Sequence, residues 1–153
     1  MNDPATGGAP HFTLAEFLRS QVATRRGIDN RPGIAASNNL PALMRFMERV
    51  RRALGNNPIQ ITSGYRSPAL NAAVGGAANS AHILGCAADF VCPDYGSPYQ
   101  ICRDLQQLVG FDQLIMEGDW VHISIPDAGR APRHQVLIAR FANGGVTYAG
   151  WSA

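Results

Sequence analysis

The chain has 153 residues, 46% of them hydrophobic, with a mean hydropathy of −0.09 and a formal net charge of +2 at pH 7. That length supports one domain with a real core, and the composition fits a soluble globule with no apolar run long enough to span a membrane. All the basic residues are arginine, and so small a surplus is far below that of a dedicated nucleic-acid binder, although it suits an anionic polymer as partner.

A single domain is expected over residues 1–153, with residues 1–10 as a tail. The start, MNDPATGGAPHF, has no basic segment followed by an apolar one, so no secretory signal is read and synthesis in the cytoplasm is expected. Thr13 and Glu16 form a capping box for a short helix, TLAEFLRS. RRGIDNRPGIAASNN is rich in Gly, Pro and Asn and reads as loop. Pro41 then starts a helix. Leu43, Phe46, Met47, Val50 and Leu54 recur there at helical spacing, and Gly55, Asn56 and Asn57 end it. Arg45, Arg49, Arg51 and Arg52 read as its solvated face.

A strand is expected from Ile59 to Thr62, with a turn at Gly64. Ser67 caps and Pro68 opens a helix, SPALNAAV, that stops at Gly75 and Gly76. CAADFVC reads as a strand. Ser97 and Pro98 repeat the cap-then-proline start, Ile101, Leu105 and Leu108 give that helix its inner stripe, and Gly110 ends it. From Phe111 onward FDQLIME, WVHISI, HQVLIARF and GVTYAGW are strand-like. The fold class is therefore α+β, with N-terminal helices packed on a small antiparallel sheet. Cys86, Cys92 and Cys102 are odd in number and lack a CxxC pair, which excludes a disulfide framework and a thiolate zinc site and leaves buried free thiols.

Gly118-Asp119 between alternating strands matches a two-residue hairpin turn with glycine first. Glu117 and Trp120 then face each other, and His122 and Ser124 point to the same side, while Val121, Ile123 and Ile125 form the core row. On the strand after Gly85, Ala87 and Asp89 share a face opposite Cys86, Ala88 and Phe90. A loop doubling back at Gly85 brings His82 over the face of Asp89. Two histidines and one carboxylate, His82, Asp89 and His122, make a candidate ligand set for a catalytic zinc that keeps one position open for water. The metal would bring the pKa of that water towards neutrality. Glu117 stands where a general base belongs, taking the proton and passing it to the leaving amine.

SAHILGCAAD fits Ser-x-His-x-x-Gly-x-Ala-x-Asp at every fixed position. It resembles the zinc D-alanyl-D-alanine peptidase family, which shares its fold with hedgehog signalling domains. ITSGYRSPALN resembles the family's upstream segment and FDQLIMEGDWVHIS its closing one, so the likeness runs in order from about residue 12 to 126. It is nearest to small cell-wall peptidases of phage lysis cassettes and bacterial genomes, the endolysins among them. The resemblance implies one zinc ion held by His82, Asp89 and His122. It implies that Arg66 steadies the substrate carbonyl or carboxylate with a permanent, forked charge, and that Ser80 orients substrate or a ligand. Several branches carry the base three residues before the last histidine, which here is Asp119. Turn geometry favours Glu117, because Asp119 belongs at the tip, and Asp119 remains the alternative.

The function implied is zinc-dependent cleavage of peptidoglycan peptide stems, either as a D-Ala-D-Ala carboxypeptidase or as an endopeptidase of endolysin type. The enzyme would act on the cell wall after release or export, as a monomer, with no nucleic acid and no membrane insertion. A catalytically inactive, zinc-bearing binding module of the same fold is the alternative, and a different zinc hydrolase such as an amidase is disfavoured by SGYRS. His11 and His134 read as structural. Tyr65 and Trp120 read either as groove or as packing.

Overall fold

The computed structural model of the protein describes residues 8–151. Most of the expected tail lies outside those residues. At its end Ala9 is fully buried and accepts a hydrogen bond from the Phe12 N–H, so the chain joins the fold there. The Glu16 carboxylate accepts from the Thr13 N–H at 2.6 Å and from its hydroxyl at 2.9 Å, closing the start of α1 (Leu14–Leu18) as its spacing predicts.

Two helices reach into what reads as loop, the first by its last two residues and the second by its first six. In α2 (Gln21–Arg26) the Ser20 hydroxyl oxygen accepts from the Ala23 N–H at 3.1 Å, and left-handed Gly27 ends the helix. Helix α3 (Ile34–Ala53) begins well before Pro41, which lies inside it and not at its start. Ala36 and Leu40 already belong to the buried stripe that continues through Leu43, Met44, Met47 and Val50. A mid-helix proline costs about 3 kcal/mol. Full burial of Leu40 alone offsets about 2 kcal/mol of that, and the extra turns it anchors supply further packing.

The chain continues through β1 (Gln60–Ser63), α4 (Pro68–Ala73), β2 (Ala87–Val91), α5 (Pro98–Leu105), β3 (Gln113–Met116), β4 (Val121–Ser124), β5 (Gln135–Ala142) and β6 (Gly145–Gly150). Ser67 and Ser97 cap α4 and α5 as expected. The strands form one six-stranded sheet in the order β1-β2-β4-β3-β5-β6. The α+β class holds. The one departure from an antiparallel sheet is β5, which runs parallel to β3. Both edges of β4 are already taken, by β2 and β3. The chain leaving β4 reverses and settles on the free edge of β3, so it runs with β3 and against β4.

One face of the sheet supplies Ala88, Phe90, Leu114, Val121 and Ile123 to a single core with Leu43, Met47, Ile101 and Leu105 of the helices. The other face is polar at its centre. Ser63 pairs with Asp89, Asp89 with His122, and His122 with Ile115. Directly paired residues project to the same side, so three strands set Ser63, Asp89 and His122 in one row. Among the described residues no helix is long and apolar enough to cross a membrane.

The end of α1 presses on the turn after β1. A Cβ on Gly64 would sit 2.7 Å from the Phe17 Cα and closer still to the Phe17 carbonyl oxygen. That oxygen also accepts from the Tyr65 N–H at 2.7 Å, so it has nowhere to move. Gly64→Ala is expected to cost about 2–3 kcal/mol as overpacking, a melting temperature lower by about 4–10 °C, which a thermal unfolding scan checks.

Candidate metal centre and active site

Asp89 sits mid-strand on β2, between Ser63 and His122. His82 comes from the turn-rich loop that follows α4, where Gly85 at φ +71° turns the chain back into β2. The His82 Nδ1–H donates to the Gly64 carbonyl at 2.7 Å, and its Nε2 lies 3.2 Å from Asp89 Oδ1. His122 Nδ1 lies 2.9 Å from the same oxygen. The imidazoles meet edge to face, 5.0 Å between centroids at 63°. One ligand atom from each of His82, Asp89 and His122 lies within 4.8 Å of the others, and all three residues are buried. The sequence-predicted ligand set is thus brought together.

Burial works against the Asp89 carboxylate, but the charges and hydrogen bonds of His82 and His122 outweigh it and hold its pKa well below the usual range. Burial pushes the His82 pKa down, against the opposing pull of Asp89. With Nδ1 donating to the Gly64 carbonyl, Nε2 is the ring atom that faces the Asp89 carboxylate oxygen. Two imidazoles and a carboxylate match the nitrogen and oxygen donors that zinc takes. The residues fit one zinc ion, and the Gly64 carbonyl is the kind of supporting contact that orients a ligating histidine.

Arg66 lies beside this set. Its Nη2–H donates to Asp89 Oδ2 at 3.1 Å, its Nε–H to the Ser63 hydroxyl at 3.1 Å and its Nη1–H to Asn71 Oδ1 at 3.3 Å. Each terminal nitrogen carries a second N–H beyond these bonds. The Arg66 backbone N–H donates to the His82 carbonyl at 3.1 Å, tying the two loops together. The Ser80 hydroxyl accepts from the His82 N–H at 3.3 Å, a local contact within the turn.

Glu117 and Trp120 flank the turn after β3, joined by a Glu117 N–H to Trp120 carbonyl bond of 3.0 Å. Glu117 is half-buried on the histidine face. Burial raises its pKa, His122 and Arg66 oppose the rise, and Asp89 adds to it. Asp119 is exposed at the turn tip. The Trp120 indole N–H is buried and has no hydrogen-bond partner among the described residues. Tyr65 is buried in the core. His11 pairs with buried Glu48 at 2.9 Å, and the ring of His134 stacks on Phe111, so both have structural surroundings.

Two supporting residues escaped the sequence reading. Asn71 accepts from Arg66 and donates to the Ala77 carbonyl at 2.9 Å, fixing the guanidinium to the loop that carries His82. Asn30 accepts from the Ser67 N–H at 2.8 Å and donates to the carbonyls of Leu18 and Tyr65, pinning the Arg66 turn. The only trace of Asn71 is a polar residue within a helix of small apolar ones. Asn30 leaves no signal in its Gly- and Pro-rich surroundings.

Residues 10–124 match the model of the Peptidase M15 family. A stretch of 79 residues is 42% identical to the zinc D-Ala-D-Ala carboxypeptidase of Streptomyces albus G. That stretch is 52% of this chain but 30% of the relative, so the chain corresponds to only part of that protein.

Proposed function

This chain belongs to the peptidase M15 family, and from that premise we propose that it is a zinc-dependent peptidase of peptidoglycan peptide stems that releases the terminal D-alanine. The convergence of His82, Asp89 and His122 on one small volume carries this reading, with Glu117 half-buried on the same side of the sheet. The activity of the Streptomyces albus G carboxypeptidase supports the choice of bond.

When bound, zinc supplies a Lewis acid that activates water and polarises a carbonyl. His82, Asp89 and His122 would hold it. Glu117 accepts the proton of the attacking water and hands it to the leaving amine. Arg66 offers its remaining N–H groups to the substrate carboxylate or to the carbonyl oxygen as charge develops there. Asn71 and Ser63 keep the guanidinium from swinging away. Ser80 acts by fixing the turn that presents His82. The enzyme works at the cell wall, after release or export.

The test is a digest of purified peptidoglycan and of a D-Ala-D-Ala-ended peptide, read by mass spectrometry with and without chelator. The expected product is free D-alanine, formed only with metal present. Fragments cut inside the stem or cross-bridge would instead assign an endopeptidase. A zinc-loaded protein that binds the peptide and leaves it whole would make this a binding module.

A further inference from the structure

The β5–β6 hairpin lies beyond residue 124, where the family match ends, yet the sheet carries it to the site. Ile115 pairs with both His122 and Leu137. Leu137, Ala139 and Phe141 therefore project to the histidine side. Across the hairpin Ala139 pairs with Tyr148 and Phe141 with Val146. One step past the Met116–Ile138 pair, Glu117 comes level with Ala139. A single row thus runs Trp120, Glu117, Ala139, Tyr148 over β4, β3, β5 and β6.

Neighbouring strands lie about 4.8 Å apart, so the backbones of Glu117 and Tyr148 are about 10 Å apart. In the row only Ala139 stands between them, and a tyrosine side chain is long enough to span most of that gap. Ala139 is 7% exposed, so the methyl is covered. The Phe141 ring also reaches the turn that carries Glu117, since a Cβ on Gly118 would lie 3.8 Å from Phe141 Cε2. Tyr148, Phe141 and Val146 stay exposed on this side, at 50%, 58% and 42%. Arg66 stands at the opposite end of the row, by β1 and β2. Partial burial, with the negative charges of Glu117 and Asp89, raises the Tyr148 pKa, so the phenol remains a proton donor at neutral pH.

We propose that Tyr148 is a substrate-contacting residue, its hydroxyl donating to a peptide carbonyl on the side of Glu117 away from Arg66, while Phe141 and Val146 take an alanine methyl beside the scissile bond. This rests on the peptidase reading above. The guanidinium and the phenol then grip the stem from two ends, and the hairpin sets which stems fit.

The experiment uses zinc-loaded protein and the D-Ala-D-Ala-ended peptide. In Tyr148→Phe, KM should rise about 3- to 10-fold, as for the loss of one neutral hydrogen bond, with kcat, zinc content and melting temperature close to wild type. The dissociation constant of the same peptide, measured in the slow-cleaving Glu117→Gln background before appreciable turnover, should rise by the same factor when Tyr148→Phe is added. Tyr148→Ala, which also removes part of the apolar wall, should weaken binding further. Unchanged KM and dissociation constant in both Tyr148 variants, with wild-type cleavage intact, would overturn this assignment and leave the peptidase reading standing. No cleavage of any peptide by the wild type would overturn that reading, and this one with it.

Discussion

In the Glu117→Gln variant, turnover of a D-Ala-D-Ala-ended peptide should fall about 10²- to 10⁴-fold, the range that general acid–base groups contribute, while zinc stays bound at one per chain. Glutamine keeps the shape and the hydrogen-bonding capacity of the side chain but cannot accept the proton. None of the three candidate ligands is altered. Steady-state kinetics beside metal analysis by atomic absorption checks both halves. The wild-type rate should climb as the pH rises through the Glu117 pKa, since only the carboxylate can take the proton, and burial raises that pKa in the metal-free protein. The stability consequence has the opposite sign. Because folding raises this pKa, Glu117 favours the fold most while protonated, and that contribution fades as the pH rises through the folded value. The glutamine variant should therefore melt no lower than wild type at pH 7. Loss of activity in Asp119→Asn, with Glu117→Gln still active, would move the base to the turn tip.

His82→Ala should remove metal and activity together. The substitution deletes one of three ligand atoms and also the tether from Nδ1 to the Gly64 carbonyl. Loss of a supporting contact alone typically lowers metal affinity 10- to 100-fold, so loss of the ligand itself should exceed about 100-fold. Competition against a chelating dye measures it. Retention of stoichiometric zinc at wild-type affinity would exclude His82 from the ligand set. The fold should survive, because the site face is separate from the core that Phe90, Val121 and Ile123 build with the helices.

The strands that matter most were legible because their alternation is strict. Ala88 and Phe90 against Ala87 and Asp89, and Val121 and Ile123 against His122 and Ser124, leave one register that buries the apolar row. That register places Asp89 opposite His122. The start of α3 was not legible, because Pro41 looks like a beginning and local propensity cannot register a stripe that Ala36 and Leu40 bury against distant residues. The Arg66 network was half legible. The arginine belongs to a recognisable segment that also holds Ser63 and Asn71, three and five positions away, but its pairing with Asp89 forms only once that segment meets β2. Residues 135–150 read as strands. Their parallel docking on β3, and hence the approach of Tyr148 to Glu117, depends on which sheet edge the other strands leave open.

The three cysteines are fully enclosed. Burial pushes the thiol of Cys102 up to about 12 and that of Cys86 to about 11, and raises Cys92 as well. Disulfide exchange needs the thiolate and an approach path, and these groups offer neither. The folded protein can therefore meet an oxidising medium without cross-linking to itself or to its neighbours, and needs no reductant to keep its shape there.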